Sequence, residues 1–247
     1  MKIRVYSDLH TDISRHYGMK DTVASKLHND VDVLVLCGDI GTENSYYDYL
    51  NYQFENCPNL IIVGVLGNHD YWGFGIHSRI AYFKETANTE FGGRFKFLEK
   101  DFVEIDGVRF IGATLWTDFF NHNYTEMLLA QTYMNDYRFI KSCDTETTYR
   151  EHLKAREYIF NNINDNSIVV THHKPYLSSS EGLSSAYESR LPELDEKRPK
   201  LWLYGHTHHA GDQMLYDDMR VVSNPRGYLG LSSRVCENFN ADLIIEV

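Results

Sequence analysis

The sequence lacks the cysteine spacing of a zinc knuckle or of a disulfide-bonded domain. Its 247 residues contain four cysteines, none of which forms a Cys-x-x-Cys pair with another. It also lacks an apolar run approaching the ~18 residues of a membrane span, and no charged leader precedes an apolar signal core. We therefore expect free thiols, a cytoplasmic location and no membrane partner.

Positive charge is also scarce. The chain has 24 Lys and Arg against 35 Asp and Glu, which gives a net charge of −11. Because duplex DNA is bound through clustered basic side chains, this composition excludes a broad duplex nucleic acid footprint. It does not exclude an anionic substrate, since bound cations dominate the local field of a metal site.

What the chain does contain is a recurrent pattern of short apolar runs that end in Asp, Asn or His. The runs are 3–6 before Asp8 and His10, 31–37 before Asp39, 60–66 before Asn68, His69 and Asp70, 167–170 before His172 and His173, and 201–204 before His206 and His208. Such runs are typical of buried strands, and open α/β sheets place ligands at the carboxyl ends of their strands. The array looks like a metal site.

The spacing of the runs predicts the architecture. Helices are expected over 21–29, 45–55, 76–91 and about 145–163, the last capped by Asp144 or Thr145. Alternation of strand and helix implies parallel strands with right-handed crossovers. Short strands over 94–98, 102–105, 108–113, 213–216, 220–223 and 243–247 add antiparallel hairpins. The pattern predicts two packed mixed β-sheets with helices outside, an α/β (α+β mixed) fold.

Two segments have less definite predictions. The aromatic run from Leu115 to Tyr137 is expected to form a loop and helix near the site, and ordinary packing is the first interpretation of its rings. Residues 177–200 are expected to form an exposed excursion. Because the site needs motifs from residue 8 to residue 208, we predict a single domain over residues 1–247.

Taken alone, each motif is weak, since a single His-x-His is more often an ordinary pair of histidines. The ordered set is specific: Asp8-x-His10, Gly38-Asp39, Gly67-Asn68-His69-Asp70, His172-His173 and Gly205-His206-x-His208. Over most of its length the chain resembles the calcineurin-like metallophosphoesterases, in particular small single-domain bacterial or phage members. The resemblance implies a four-layer αββα sandwich with a two-metal site at the strand carboxyl ends.

The resemblance also implies a ligand set. Asp8, His10 and His208 would hold one metal, and Asn68, His172 and His206 the other. Asp39 would bridge the two, because a carboxylate can offer oxygen lone pairs to both cations. Mixed imidazole and carboxylate ligands suit Mn, Fe, Zn or Ni. The expected reaction is in-line attack on a phosphoester by a hydroxide that bridges the metals.

His69 and Asp70 are the expected catalytic residues. By resemblance His69 contacts the phosphate together with Asn68 and protonates the leaving group, while Asp70 steadies the ring. A neighbouring carboxylate would raise the imidazole pKa above its usual value of about 6.5. The alternative is that Asp70 only caps the next helix. His173 and Arg226 are further candidates for substrate contact.

Differences between this sequence and other members of the family limit the range of expected substrates. Protein Ser/Thr phosphatases carry Asp-Arg-Gly shortly after Gly-Asp, whereas this chain continues from Asp39 without that Arg. The chain also has no room for the capping domain of the related nucleases. A small phosphomonoester or phosphodiester, with a nucleotide or cyclic nucleotide favoured, is the expected substrate. The alternatives are a nuclease or pyrophosphohydrolase of the same family, or a metal-binding scaffold without activity.

Overall fold

The computed structural model describes residues 1–179, 182–231 and 235–247. The strands of these residues are β1 (Lys2–Tyr6), β2 (Val33–Cys37), β3 (Ile61–Val65), β4 (Phe95–Phe97), β5 (Asp101–Ile105), β6 (Val108–Ala113), β7 (Ser167–Thr171), β8 (Leu201–Tyr204), β9 (Gly211–Tyr216), β10 (Met219–Ser223) and β11 (Ile244–Glu246). They form two sheets, in the orders β11-β1-β2-β3-β4 and β5-β6-β7-β8-β10-β9.

Both sheets mix parallel and antiparallel pairs. In the first sheet β1 to β4 are parallel neighbours, and β11 pairs antiparallel with β1. In the second sheet β6, β7, β8 and β10 are parallel, and the hairpins β5–β6 and β9–β10 add an antiparallel strand at each edge. In each sheet the parallel strands deliver their carboxyl ends to one edge.

Strand β2 shows why the sheets stack. All five residues of its Val-Leu-Val-Leu-Cys sequence are buried. Val33 and Val35 belong to the core between the two sheets, whereas Leu34 and Leu36 belong to the core beneath the helices. Apolar side chains on both faces are typical of parallel strands that are covered on both sides.

Helices complete the outer layers. They are α1 (Thr11–His16), α2 (Ser45–Asn56), α3 (Ile76–Thr89), α4 (Phe119–His122), α5 (Tyr124–Tyr133), α6 (Asp136–Phe139) and α7 (Thr145–Asn162). Leu50 of α2 and Phe83 of α3 pack on the first sheet, while Ile159 of α7 packs on the second beside Trp202. The predicted sandwich of two mixed sheets between helices is therefore confirmed.

Two local predictions are wrong. Residues 21–29 form turns instead of a helix, because the Asp21 carboxylate accepts the Ala24 N–H at 2.8 Å and also pairs with Arg226. The predicted excursion 177–200 includes residues 180 and 181, which lie outside the described residues. In its described part, residues 177–179 are exposed as expected, but Glu188 and Leu194 are buried. The segment is anchored because the Glu188 carboxylate pairs with the Lys174 ammonium at 3.0 Å.

Two smaller expectations are met. The Asp144 carboxylate accepts the Thr147 N–H at 2.7 Å and so caps α7. All four cysteines, Cys37, Cys57, Cys143 and Cys236, are free thiols. Among the described residues, none of the helices combines the length and apolar character that crossing a bilayer requires. The single-domain interpretation stays a prediction.

Candidate metal centre

The seven predicted ligands lie together at the carboxyl ends of five strands. Asp8 and His10 follow β1, Asp39 follows β2, Asn68 follows β3, His172 follows β7, and His206 and His208 follow β8. Their donor atoms form two groups that meet at Asp39. Residues that are up to 200 positions apart in sequence are thus neighbours, because the parallel strands of each sheet end at one edge and the two sheets are stacked with these edges side by side.

The first group contains Asp8, His10 and His208. One donor atom from each lies within 4.8 Å of the other two. His208 Nε2 is 3.3 Å from Asp8 Oδ1 and 3.3 Å from His10 Nε2. Asp8 also accepts the backbone N–H of His206, which fixes the carboxylate against the β8 loop.

The second group contains His172, His206 and Asn68. His172 Nε2 is 2.9 Å from Asn68 Oδ1 and 3.1 Å from His206 Nδ1. Asp39 lies between the groups: its Oδ1 is 3.5 Å from His172 Nε2, and its Oδ2 is 3.8 Å from His10 Nε2. Each carboxylate oxygen therefore faces a different group, which is the arrangement that a bridging ligand needs.

Outer hydrogen bonds determine which atoms of these side chains face inward. His172 Nδ1–H donates to the Cys37 carbonyl at 2.8 Å, so its Nε2 presents a lone pair to the site. Asn68 Nδ2 donates to Asp136 at 2.8 Å, so the amide oxygen is turned inward. Two acceptors thus meet at 2.9 Å. Facing lone pairs repel, and a divalent transition metal is the group that this donor set fits.

The electrostatics of the buried side chains also favour bound metal ions. Asp8, Asp39 and Asp70 are each at most 2% exposed. Burial, with the charges of Asp70 and Asp8, raises the pKa of Asp39 well above its usual range. Burial lowers the pKa of His10 and of His206, so both rings are neutral, which is the form that binds metals. Bound cations would compensate the crowded carboxylates.

The backbone is unusual at the candidate ligands. Positive φ angles occur at Asp8 (52°), His10 (43°), Asp39 (55°), His206 (68°) and His208 (54°). Residues other than Gly rarely adopt this region, and its cost is tolerated where function requires a special side-chain direction. The sharp turns after β1, β2 and β8 therefore direct these side chains toward the candidate metal centre.

Gly67 is required by packing. A Cβ at this position would collide with Asp39, at 2.5 Å from the Asp39 backbone N. We expect Gly67→Ala to displace Asp39, to weaken metal binding by at least tenfold and to destabilise the fold by about 1–3 kcal/mol, the usual cost of overpacking. Calorimetric titration with Mn²⁺ and thermal unfolding of the metal-free chain measure the two effects.

The matched control is Gly75→Ala, whose added Cβ would have only ordinary contacts at 3.5 Å. It should bind Mn²⁺ as the unmodified chain does. A Gly67→Ala variant with unchanged affinity would show that Asp39 tolerates the displacement.

His69 lies beside both groups, and its surroundings differ from the expectation. Its ring stacks on Trp72 with 3.6 Å between centroids, and its Nε2 is 3.3 Å from the Tyr228 hydroxyl. Burial, followed by the charge of His172, lowers the pKa of His69 to about 3. The expected rise of this pKa is therefore wrong for the chain without bound ions, because desolvation opposes the imidazolium.

Asp70 has a role that neither sequence interpretation included. Its carboxylate accepts the backbone N–H groups of Asp39 and Gly67, both at 2.8 Å, and of Gly41 at 3.0 Å. Among the described residues it makes no hydrogen bond to the His69 ring and does not cap a helix. Its buried side chain instead ties the loop after β2 to the loop after β3.

The two weaker candidates for substrate contact lie behind the site. His173 is 2% exposed, and its Nδ1–H donates to the Thr114 carbonyl at 3.2 Å, while its ring packs 4.2 Å from that of His206. Arg226 is 3% exposed, and its guanidinium pairs with Asp21. Both side chains are therefore placed to support neighbouring residues, away from the cavity wall.

The metal centre opens into a cavity of about 900 Å³. The residues that line it and that sequence reasoning missed include Trp72, Tyr133, Asp136, Tyr187 and Tyr228. They come from turns, α5, α6 and the segment 177–200, where no periodic pattern or motif marks a functional side chain.

Comparison with known proteins agrees with the geometry. A family model described as calcineurin-like phosphoesterase matches residues 1–210. An uncharacterized protein of Acanthamoeba polyphaga mimivirus is 25% identical over 286 residues, which cover 99% of this chain and 96% of that protein. A solved crystal structure with 13% identity covers 91% of this chain and 90% of its own, with a TM-score of 0.53, and shows a shared fold.

A dimetal phosphatase from Danio rerio is 14% identical. The match covers 90% of this chain and 86% of that one, with a TM-score of 0.49.

Proposed function

Because the chain belongs to the calcineurin-like phosphoesterases, we propose that it hydrolyses a small phosphomonoester or phosphodiester with two divalent metal ions at its strand ends. A nucleotide or cyclic nucleotide is the favoured substrate. The observation that carries this proposal is the pair of donor groups that share Asp39, one oxygen facing each group. Either group alone would indicate a single metal site.

Each donor group has a part in the proposed reaction. Asp8, His10 and His208 would hold one ion, Asn68, His172 and His206 the other, and Asp39 both. Two such ions, when bound, supply Lewis acidity toward water and the phosphoryl group. No cysteine or serine lies among the donor groups, so water is the proposed nucleophile, attacking in line with the leaving group.

His69 is the proposed contact for the reacting phosphoester. Its backbone N–H donates to Asp39 Oδ1 at 2.9 Å, which holds the residue against the bridging carboxylate. Stacking on Trp72 fixes the plane of the ring, and Nε2 points toward the cavity-lining Tyr228. From this position Nε2 would give a hydrogen bond or a proton to the leaving oxygen, while Asp70 keeps the two loops in place.

The charges in the cavity favour a substrate with one phosphate group. Among the described lining residues, Lys174 is the one Lys or Arg, and its ammonium already pairs with Glu188 at 3.0 Å. Asp136 also lines the cavity. A second phosphate beyond the metal centre would therefore lie near carboxylates without a free cation. This argues against a pyrophosphohydrolase, and the acidic chain argues against a nuclease.

The test is to load the purified chain with Mn, Ni, Zn or Fe, count the bound metals, and measure kcat/KM on matched substrates. We expect two ions per chain. Cyclic nucleotides and simple phosphoesters should be hydrolysed at least about fivefold better than a nucleoside diphosphate ester, since two like unit charges about 4 Å apart repel each other by about 1 kcal/mol even in bulk water.

Three results would contradict parts of this proposal. At most one specific metal site would remove the two-metal centre. Preference for oligonucleotides or diphosphate esters would favour the nuclease or pyrophosphohydrolase alternative. A chain with two bound metals that is inert toward every phosphoester would be a scaffold.

A further inference from the structure

We propose that Asp136 is a positioning residue that orients Asn68 toward the metals and, through Trp72, sets the plane of the His69 ring. The inference rests on the proposed two-metal function. Asp136 begins α6, outside the strand-end motifs, and nothing in its sequence context marks it. It is 4% exposed and lines the cavity.

One oxygen of Asp136 holds two site residues at once. Its Oδ1 accepts Asn68 Nδ2–H at 2.8 Å and Trp72 Nε1–H at 2.9 Å. Burial raises the pKa of Asp136, although these two hydrogen bonds oppose the rise. A buried carboxylate is costly unless it is hydrogen-bonded, so both donors stabilise Asp136 in its buried position.

The bond to Asn68 decides which end of the amide faces the site. The two ends of a carboxamide have nearly the same shape, but only the oxygen can ligate a cation. With Asp136 accepting from Nδ2, the Asn68 oxygen is turned toward His172 Nε2 at 2.9 Å. Without this acceptor the amide could rotate and present N–H groups to the cation. Outer partners of this kind typically change metal affinity by about 10–100-fold.

The bond to Trp72 decides the orientation of the indole. Trp72 stacks on His69 with an interplanar angle of 25°, and its ring also packs against Phe139 at 4.9 Å between centroids. A hydrogen bond from Nε1 prevents the indole from turning about its own axis. Asp136 therefore connects a metal ligand with the residue proposed to contact the leaving group.

The first experiment compares Asp136→Leu with Asp136→Asn on the full-length chain. Calorimetric titration with Mn²⁺ should show about 10–100-fold weaker binding at one of the two sites in Asp136→Leu and an unchanged second site. Asp136→Asn keeps a carbonyl acceptor, so we expect it to rescue most of the loss. Tyr137→Phe is the matched control, since its hydroxyl bonds Thr148 at 3.2 Å, away from the site.

The second experiment separates the effect of the Trp72 hydrogen bond from that of the Asn68 hydrogen bond. Trp72→Phe removes the indole N–H and keeps an aromatic ring against His69. It should bind Mn²⁺ normally, while its rate with an alkyl phosphoester falls about fivefold, the worth of one hydrogen bond. In a His69→Ala background the same substitution should have no further effect on the rate.

A folded Asp136→Leu variant with normal affinity at both sites would overturn the inference. If that variant does not fold, Asp136→Ala, which also removes the acceptor, is combined with Asn68→Ala: the effects of the two on metal affinity should not add, and additive effects would overturn the inference. If the unmodified chain binds no Mn²⁺, the proposed function itself has failed. If the unmodified chain binds two ions and substitution of Asp136 does not change their affinity, only this inference is refuted and the proposed function stands.

Discussion

Replacing Asp39 by Asn is expected to lower turnover by at least about 10³-fold and to reduce the metal content below two ions per chain. Asp39 is 2% exposed, and its two oxygens face different donor groups. A neutral amide offers one oxygen and one N–H₂ group, and the latter would repel a cation. Metal ions contribute several kcal/mol to such reactions, and each 1.36 kcal/mol is a factor of ten in rate.

Metal analysis and kcat with a nitrophenyl phosphoester measure this prediction. The control is Asp106→Asn, an exposed residue in the turn between β5 and β6, which should keep activity and both metals. Asp39→Asn with near-normal turnover and two bound ions would mean that Asp39 does not bridge. Thermal unfolding of the metal-free chain shows whether any loss comes from the fold instead.

His69→Ala is expected to spare both metals and to lower the rate with an alkyl phosphoester by about 10²–10⁴-fold, the usual contribution of a general acid. For a nitrophenyl ester the loss should be smaller, because an acidic phenol leaves without a proton. The low pKa of the buried ring, about 3, belongs to the chain without substrate. A bound phosphoester would place negative charge against the ring, which favours its protonated form.

The ratio of the two losses is the decisive measurement. Equal losses would assign His69 to phosphate binding by a neutral ring, and loss of a metal would place it among the ligands. His77→Ala is the control, since His77 is exposed on α3. It should change neither rate nor metal content.

The sequence alone determined the fold class and the residues that meet. Short apolar runs predict buried strands, and the parallel strands of one sheet must end at one edge, so Asp8, Asp39 and Asn68 could be placed together from the sequence. The glycines of the motifs have a structural reason, since a Cβ at Gly67 or Gly205 would collide with an Asp carboxylate. Strands and the polar residues at their ends involve only a few consecutive residues, so a short sequence pattern is enough to predict them.

Only the tertiary structure decided which hydrogen-bond or ion-pair partner each polar side chain has. Asp70 could steady His69 or cap a helix, but folding brings three backbone N–H groups to its carboxylate. Arg226 could face a phosphate, but its guanidinium pairs with the Asp21 carboxylate inside the fold. Asp136 had no sequence signal at all, because its partners Asn68 and Trp72 are more than sixty positions away. Hydrogen bonds and ion pairs depend on distances in space, and strand patterns do not encode those distances.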